Sequence, residues 1–98
     1  MSLQRIRYLV TYDIAHPKRL RRVARTLEGY GTRLQYSVFE CPLEGLRLEK
    51  LKADIWEIIN HQEDQVLFVS LGAAASDASL SIESVGKPYI KSAIVTII

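Results

Sequence analysis

Asp13 is the residue of this sequence best suited to chemistry. It ends the run Ile6-Arg7-Tyr8-Leu9-Val10-Thr11-Tyr12-Asp13, and a carboxylate at a strand end is well placed to hold a hard cation. Mg²⁺ takes one or two carboxylates and completes its shell with water and phosphate oxygens. The same position also suits a structural carboxylate that caps the following loop or closes an Asx turn. One carboxylate alone is a poor metal site. In a homodimer, a two-fold axis passing near Asp13 brings two together, and a cation or protons must then offset their repulsion. Ser37 can donate to a phosphate or orient a water, or be an ordinary strand hydroxyl. Phe39, placed by alternation beside polar residues, can stack on a base or belong to a dimer core. Arg33 and the basic run Lys18, Arg19, Arg21, Arg22 and Arg25 can neutralise phosphate charge or form a solvated helix face.

Other reactive types have simpler explanations. His16 sits in a loop before Pro17, and His61 falls at an expected helix C-terminus, where a cation is favoured. Cys41 is the single cysteine, so neither an internal disulfide nor a zinc cluster is available, and it reads as a buried thiol. Glycine-rich phosphate loops, GxSxG elbows and HExxH are absent.

The elements that must position these residues follow from periodicity. The first strand, 6–13, alternates Tyr8, Val10 and Tyr12 against Leu9, Thr11 and Asp13. Pro17 suits a first helical turn. Leu20, Val23, Ala24 and Leu27 then repeat at i, i+3, i+4, i+7, which predicts a helix over 17–30 ended by Gly29 and Gly31. Its opposite side carries Lys18, Arg21, Arg22 and Arg25, with Arg19 flanking them. Residues 32–41 read as extended, either one long strand or a tight hairpin bending at Gln35-Tyr36, with Pro42 and Gly45 breaking the pattern. A second helix is expected over 46–60, with Leu48, Leu51, Ile55, Ile58 and Ile59 inward and Trp56 at its margin. The apolar run 65–71 is expected as a central strand, 72–81 as a loop, and 82–85 as a short strand. The apolar end, 92–98, invites pairing by a second copy of the chain.

A chain of 98 residues makes one domain and buries only about two-thirds of its unfolded surface. Hydrophobic residues at 48% and charged residues at 24% exclude a disordered or fibrous chain. No apolar run approaches the roughly 20 residues that span a bilayer, so no membrane association is expected. The start lacks the apolar core of a secretion signal, so the expected compartment is the cytoplasm. Charge is asymmetric: residues 1–33 carry eight basic and two acidic groups, the remainder five basic and nine acidic. One electropositive face able to meet phosphate follows.

Tyr12-Asp13-Ile14, Arg22-Val23-Ala24, Arg33-Leu34-Gln35-Tyr36-Ser37-Val38-Phe39-Glu40 and Ile82-Glu83-Ser84-Val85-Gly86-Lys87-Pro88 together resemble the CRISPR-associated protein 2 family over nearly the whole chain. The resemblance implies an α+β, ferredoxin-like βαββαβ sandwich. It also implies a homodimer in which a C-terminal extension, residues 82–98 of the single domain 1–98, joins the partner's sheet. A Mg²⁺ ion shared between Asp13 of each subunit is implied as well. So is metal-dependent endonuclease activity on single-stranded RNA or double-stranded DNA during spacer acquisition. The family's functional positions carry over onto Tyr12, Asp13, Arg22, Arg33, Ser37 and Phe39. Leu20 stands where some members have a further arginine.

The expected chemistry is phosphodiester hydrolysis. Asp13 holds the metal, Arg22 and Arg33 offset phosphate charge, Ser37 orients water and Phe39 places a nucleotide. The competing expectation is a non-catalytic scaffold whose basic helix binds duplex DNA and spaces two dimers of the CRISPR-associated protein 1 integrase. A regulatory dimer binding a small ligand is a third class, which predicts no salt-dependent nucleic-acid affinity.

Overall fold

The computed structural model describes residues 4–74 and 82–89. The expected 92–98 strand and most of the expected 72–81 loop lie outside them. Six elements run in the order β1 (Ile6–Asp13), α1 (Pro17–Glu28), β2 (Thr32–Gln35), β3 (Val38–Leu43), α2 (Gly45–Ile58) and β4 (Gln65–Ala73). The sheet is antiparallel throughout, in the order β2-β3-β1-β4.

Local chemistry sets the helix ends. His16 caps α1, its Nδ1 accepting from the Lys18 N–H at 3.1 Å, and Pro17 opens the first turn. Gly29 closes it. Glu44 caps α2, its carboxylate accepting from the Leu46 and Arg47 N–H groups at 3.3 and 2.9 Å, where helix ends favour negative charge. Both helices cover one sheet face. Val23 and Leu27 of α1 and Leu51 and Ile55 of α2 are buried against Val10, Tyr12, Phe39, Cys41 and Leu43. The α1–β2 connection passes so close to β3 that a Cβ on Gly31 would lie 2.2 Å from the Glu40 carbonyl oxygen.

The opposite face is formed by Leu9, Thr11, Asp13, Val38, Leu67 and Val69, with Arg7 and Glu40 toward one end. There the 82–89 segment reaches the sheet through Tyr89, while residues 83–88 stay exposed. Tyr89 donates to Glu40 at 2.9 Å, and Arg7, ion-paired to Glu40, donates to the Ala74 carbonyl at 2.7 Å.

Several expectations are corrected. Residues 32–43 form a hairpin turning at Tyr36-Ser37, which decides the open choice. β3 continues through Pro42, where β2 pairs no further than Glu40 and an outer edge is available to a residue lacking an N–H. β4 is an edge strand among the described residues, not a central one. Its run is apolar because Val66 and Phe68 pack on the helices while Leu67 and Val69 stand 48% and 44% exposed on the other face. β4 also extends through Gly72 to Ala73, whereas 82–85 forms no strand. Trp56 is 63% exposed, against His61.

Candidate active site

The end of β1 and the β2–β3 turn are clamped together by one residue. Tyr12 donates its backbone N–H to the Ser37 carbonyl at 3.1 Å and its phenol to the Tyr36 carbonyl at 3.2 Å. Burial pushes the Tyr12 phenol up from its ordinary value, against the opposing pull of Arg33, so it stays a donor at neutral pH. Clamping in this way leaves a depression of about 210 Å³ lined by Thr11, Tyr12, Asp13, Ser37, Val38, Gln65 and Leu67. Asp13 is exposed there, with no hydrogen bond or ion pair among the described residues. Gln65 stands opposite Asp13 in register and adds a neutral amide; no motif marked it in the sequence.

The structural duty considered for Asp13 falls to Asp64. Asp64 accepts from the Ala15 and Asn60 N–H groups, each at 2.8 Å, and from Arg19 Nε at 2.7 Å. Those bonds, Arg19 foremost, hold its carboxyl well below the usual carboxylate range despite burial. Arg19 also meets Glu63 at 3.1 Å. It is therefore removed from the phosphate-binding set: its guanidinium is already engaged by two acids. The polar turn at Asn60–Asp64 was the available signal for this staple.

The remaining basic residues of α1 lie on its solvent side, where the helical period puts them. Lys18, Arg21, Arg22 and Arg25 are exposed, line a second depression of about 240 Å³, and have no acidic partner among the described residues. Arg22 thus lies with this basic surface, and it does not line the Asp13 depression. Arg33 is exposed on β2, its guanidinium 5.1 Å from the centre of the Phe39 ring and 6.0 Å from that of Tyr36.

Phe39 is corrected. It is 0% exposed, packed in the core with its ring 6.2 Å from that of Tyr12, and presents no surface to a base. The turn at Tyr36-Ser37 resets the alternation, so Phe39 faces the helices and supports Arg33 and Tyr12 from beneath. Cys41 is likewise buried, and burial followed by the nearby Glu40 pushes its thiol up to about 12. Among the described residues no three His, Cys, Asp or Glu side chains gather at one point, and no helix is long and apolar enough to cross a membrane.

A βαββαβ chain whose single antiparallel sheet is backed by two helices, with β1 between β3 and β4, is a ferredoxin-like α+β protein. Here that fold carries a strand-end aspartate and a cationic helix surface, neither paired among the described residues. The family model described as CRISPR associated protein Cas2 matches residues 6–78, and the chain belongs to that family. It is 44% identical over 82 residues to the CRISPR-associated endoribonuclease Cas2 of Geobacter sulfurreducens, covering 84% of this chain and 85% of that one. It is 35% identical over 88 residues to the CRISPR-associated endonuclease Cas2 of Halalkalibacterium halodurans, covering 84% and 88%. The crystal structure of Streptococcus pyogenes Cas2 at pH 6.5 superposes with a TM-score of 0.73 at 35% identity, over 82% of this chain and 99% of that one. A chain of a partial Cas6-RT-Cas1–Cas2 complex superposes with a TM-score of 0.73 at 29% identity, over 90% and 99%.

Proposed function

We propose that this chain is a Mg²⁺-dependent endonuclease of the spacer-acquisition stage of CRISPR defence, cutting phosphodiester bonds in RNA or DNA in the cytoplasm. The observation that carries it is the depression where Asp13, Ser37 and Gln65 meet with the Asp13 carboxylate unspent. The carboxylate, hydroxyl and amide are all oxygen-bearing groups, a donor set that fits a hard divalent cation. One chain brings a single carboxylate. The site is completed by a homodimer in which Asp13 of each subunit meets the same ion. The exposed Leu67 and Val69 give the open sheet face an apolar surface for that contact.

When bound, the ion supplies Lewis acidity toward the phosphoryl oxygen and a more acidic water. The chain's own residues do the rest. Asp13 fixes the position, Ser37 orients a water or a phosphate oxygen, and Arg33 balances phosphate charge from β2. Tyr12 holds the Ser37 turn against β1. Water's oxygen bonds to phosphorus as the bridging P–O bond breaks, and the leaving oxygen takes a proton. Arg22 and its basic neighbours secure nucleic acid away from the reacting phosphate.

The test compares wild type with Asp13→Ala on labelled single-stranded RNA and duplex DNA, with Mg²⁺ and with chelator. Cleavage that needs both Mg²⁺ and Asp13 is the expected result. Equal cleavage by both proteins, or none by either, overturns it.

A second reading rests on the unpaired cluster Lys18, Arg21, Arg22 and Arg25, and on the likeness to a chain of a complex containing Cas1 and Cas2. In it the dimer is a scaffold that grips duplex DNA between integrase subunits, and Asp13 is dispensable. Spacer acquisition retained by Asp13→Ala but lost on reversing Arg21, Arg22 and Arg25 favours it.

A further inference from the structure

Gln65 is the neutral neighbour of Asp13. The two are opposed in the antiparallel register of β4 with β1, so their side chains leave the same sheet face with Cβ atoms about 4.5–5.5 Å apart. Both line the depression with Thr11 and Ser37, both are exposed, and the Gln65 amide has no hydrogen bond among the described residues. Its place is set from two sides. Asp64, the residue before it, is bonded to the Ala15 N–H at 2.8 Å and to Arg19 Nε at 2.7 Å, which fixes the start of β4 against the loop that leaves Asp13. A backbone held at a defined place costs little to order on binding.

We propose that Gln65 is a phosphate-contacting residue of this site, its amide N–H donating to a non-bridging oxygen of the bound phosphodiester while Asp13 faces the divalent cation. The inference rests on the endonuclease reading and deepens it. None of the residues lining the depression is basic, so a phosphate there must be met by neutral donors. Thr11 and Ser37 offer one hydroxyl proton each, whereas the Gln65 amide offers two in a fixed plane. A neutral donor also serves beside a cation, where a lysine or arginine would repel it. Gln65 thus places the phosphate from β4, opposite the carboxylate that β1 supplies.

The test titrates labelled single-stranded RNA and duplex DNA by fluorescence anisotropy, in Ca²⁺ and in chelator, with gels to confirm that each ligand stays intact. The gain in affinity that Ca²⁺ brings reports the depression, and the chelator value reports the basic helix surface. The proteins are wild type, Gln65→Met, Gln65→Glu and Asp13→Ala. Gln65→Met, which keeps the length and removes the donor, should weaken binding in Ca²⁺ by roughly 10-fold or more, the range for losing a hydrogen bond to a charged group. It should match wild type in chelator. Gln65→Glu, of the same shape, should bind more weakly still in Ca²⁺ because it turns a carboxylate toward the phosphate. Unchanged affinity in Gln65→Met, equal losses with and without Ca²⁺, tighter binding by Gln65→Glu, or no Ca²⁺ gain in wild type overturns the proposal. A Ca²⁺ gain lost in Asp13→Ala but kept in Gln65→Met overturns the proposal and spares the endonuclease reading. A gain that needs Gln65 and not Asp13 removes the endonuclease reading and leaves the phosphate contact standing.

Discussion

Arg19 and Asp64 meet at two points, Nε to Oδ2 at 2.7 Å and a terminal guanidinium nitrogen to Oδ1 at 3.3 Å. The pair spans 45 residues and ties the turn before β4 to the first turn of α1. The same carboxylate holds the Ala15 N–H, two residues beyond Asp13. The loop that leaves Asp13 is therefore anchored by a residue 49 positions beyond Ala15.

Stability should fall in acid through this group. The Asp64 carboxyl is depressed in the folded state, chiefly by the Arg19 hydrogen bond, so its contribution is complete above the unfolded carboxylate value of about 4. It is lost as pH drops below that value toward the folded one. Asp64→Asn should lower the Tm at neutral pH and flatten its decline in acid. Thermal melts of both proteins from neutral to strongly acid pH check this.

The Arg7–Glu40 pair predicts a larger effect. Both side chains are buried, at 2% and 0% exposure, and Arg7 Nε already has no hydrogen-bond partner. Glu40→Ala leaves a buried guanidinium uncompensated and should cost about 3–5 kcal/mol. Tyr89→Phe, which removes the 2.9 Å bond to Glu40, should cost about 1–3 kcal/mol. Urea denaturation midpoints measure both.

Gly31 admits no side chain. A Cβ there would lie 2.2 Å from the Glu40 carbonyl oxygen and 2.6 Å from Cys41 Sγ, so backbone must move. Gly31→Ala should cost about 1–3 kcal/mol by overpacking. Cys41, with its thiol pushed up to about 12, should resist alkylation in the wild type and react faster in this variant. Alkylation followed by mass spectrometry reads both proteins at one pH.

Reversing Arg21, Arg22 and Arg25 to Glu should leave the fold intact, since all three are exposed. The salt dependence of duplex binding should change instead. Each phosphate contact contributes a slope near −0.9 in log K against log salt, so losing three should flatten it by roughly 2.7. Titrations across a salt series measure the slope directly.

The helices and first strand were legible because their burial follows simple periods. Leu20, Val23, Ala24 and Leu27 announce α1, and alternation places Tyr8, Val10 and Tyr12 on the covered face. What failed did so where a turn resets the period. No glycine marks the bend at Tyr36-Ser37, so continuous alternation put Phe39 among polar residues when the fold buries it and exposes Tyr36. Position along α1 also could not show that Arg19 faces Asp64, because the acid comes from a different loop. Asp13 was found from strand-end chemistry, whereas Gln65 required the register that sets it opposite.

The sheet order has a consequence for how the protein is made. Val10, in the middle strand, pairs with Phe39, 29 positions later, and with Phe68, 58 positions later. β1 thus waits for both neighbours, and the slow step is closure of distant segments rather than formation of local helix. Gln65, 52 positions after Asp13, reaches it only when β4 docks. A nascent chain can hold α1 and the β2–β3 hairpin without possessing the depression, so the place where Asp13, Ser37 and Gln65 meet assembles only once β4 has docked.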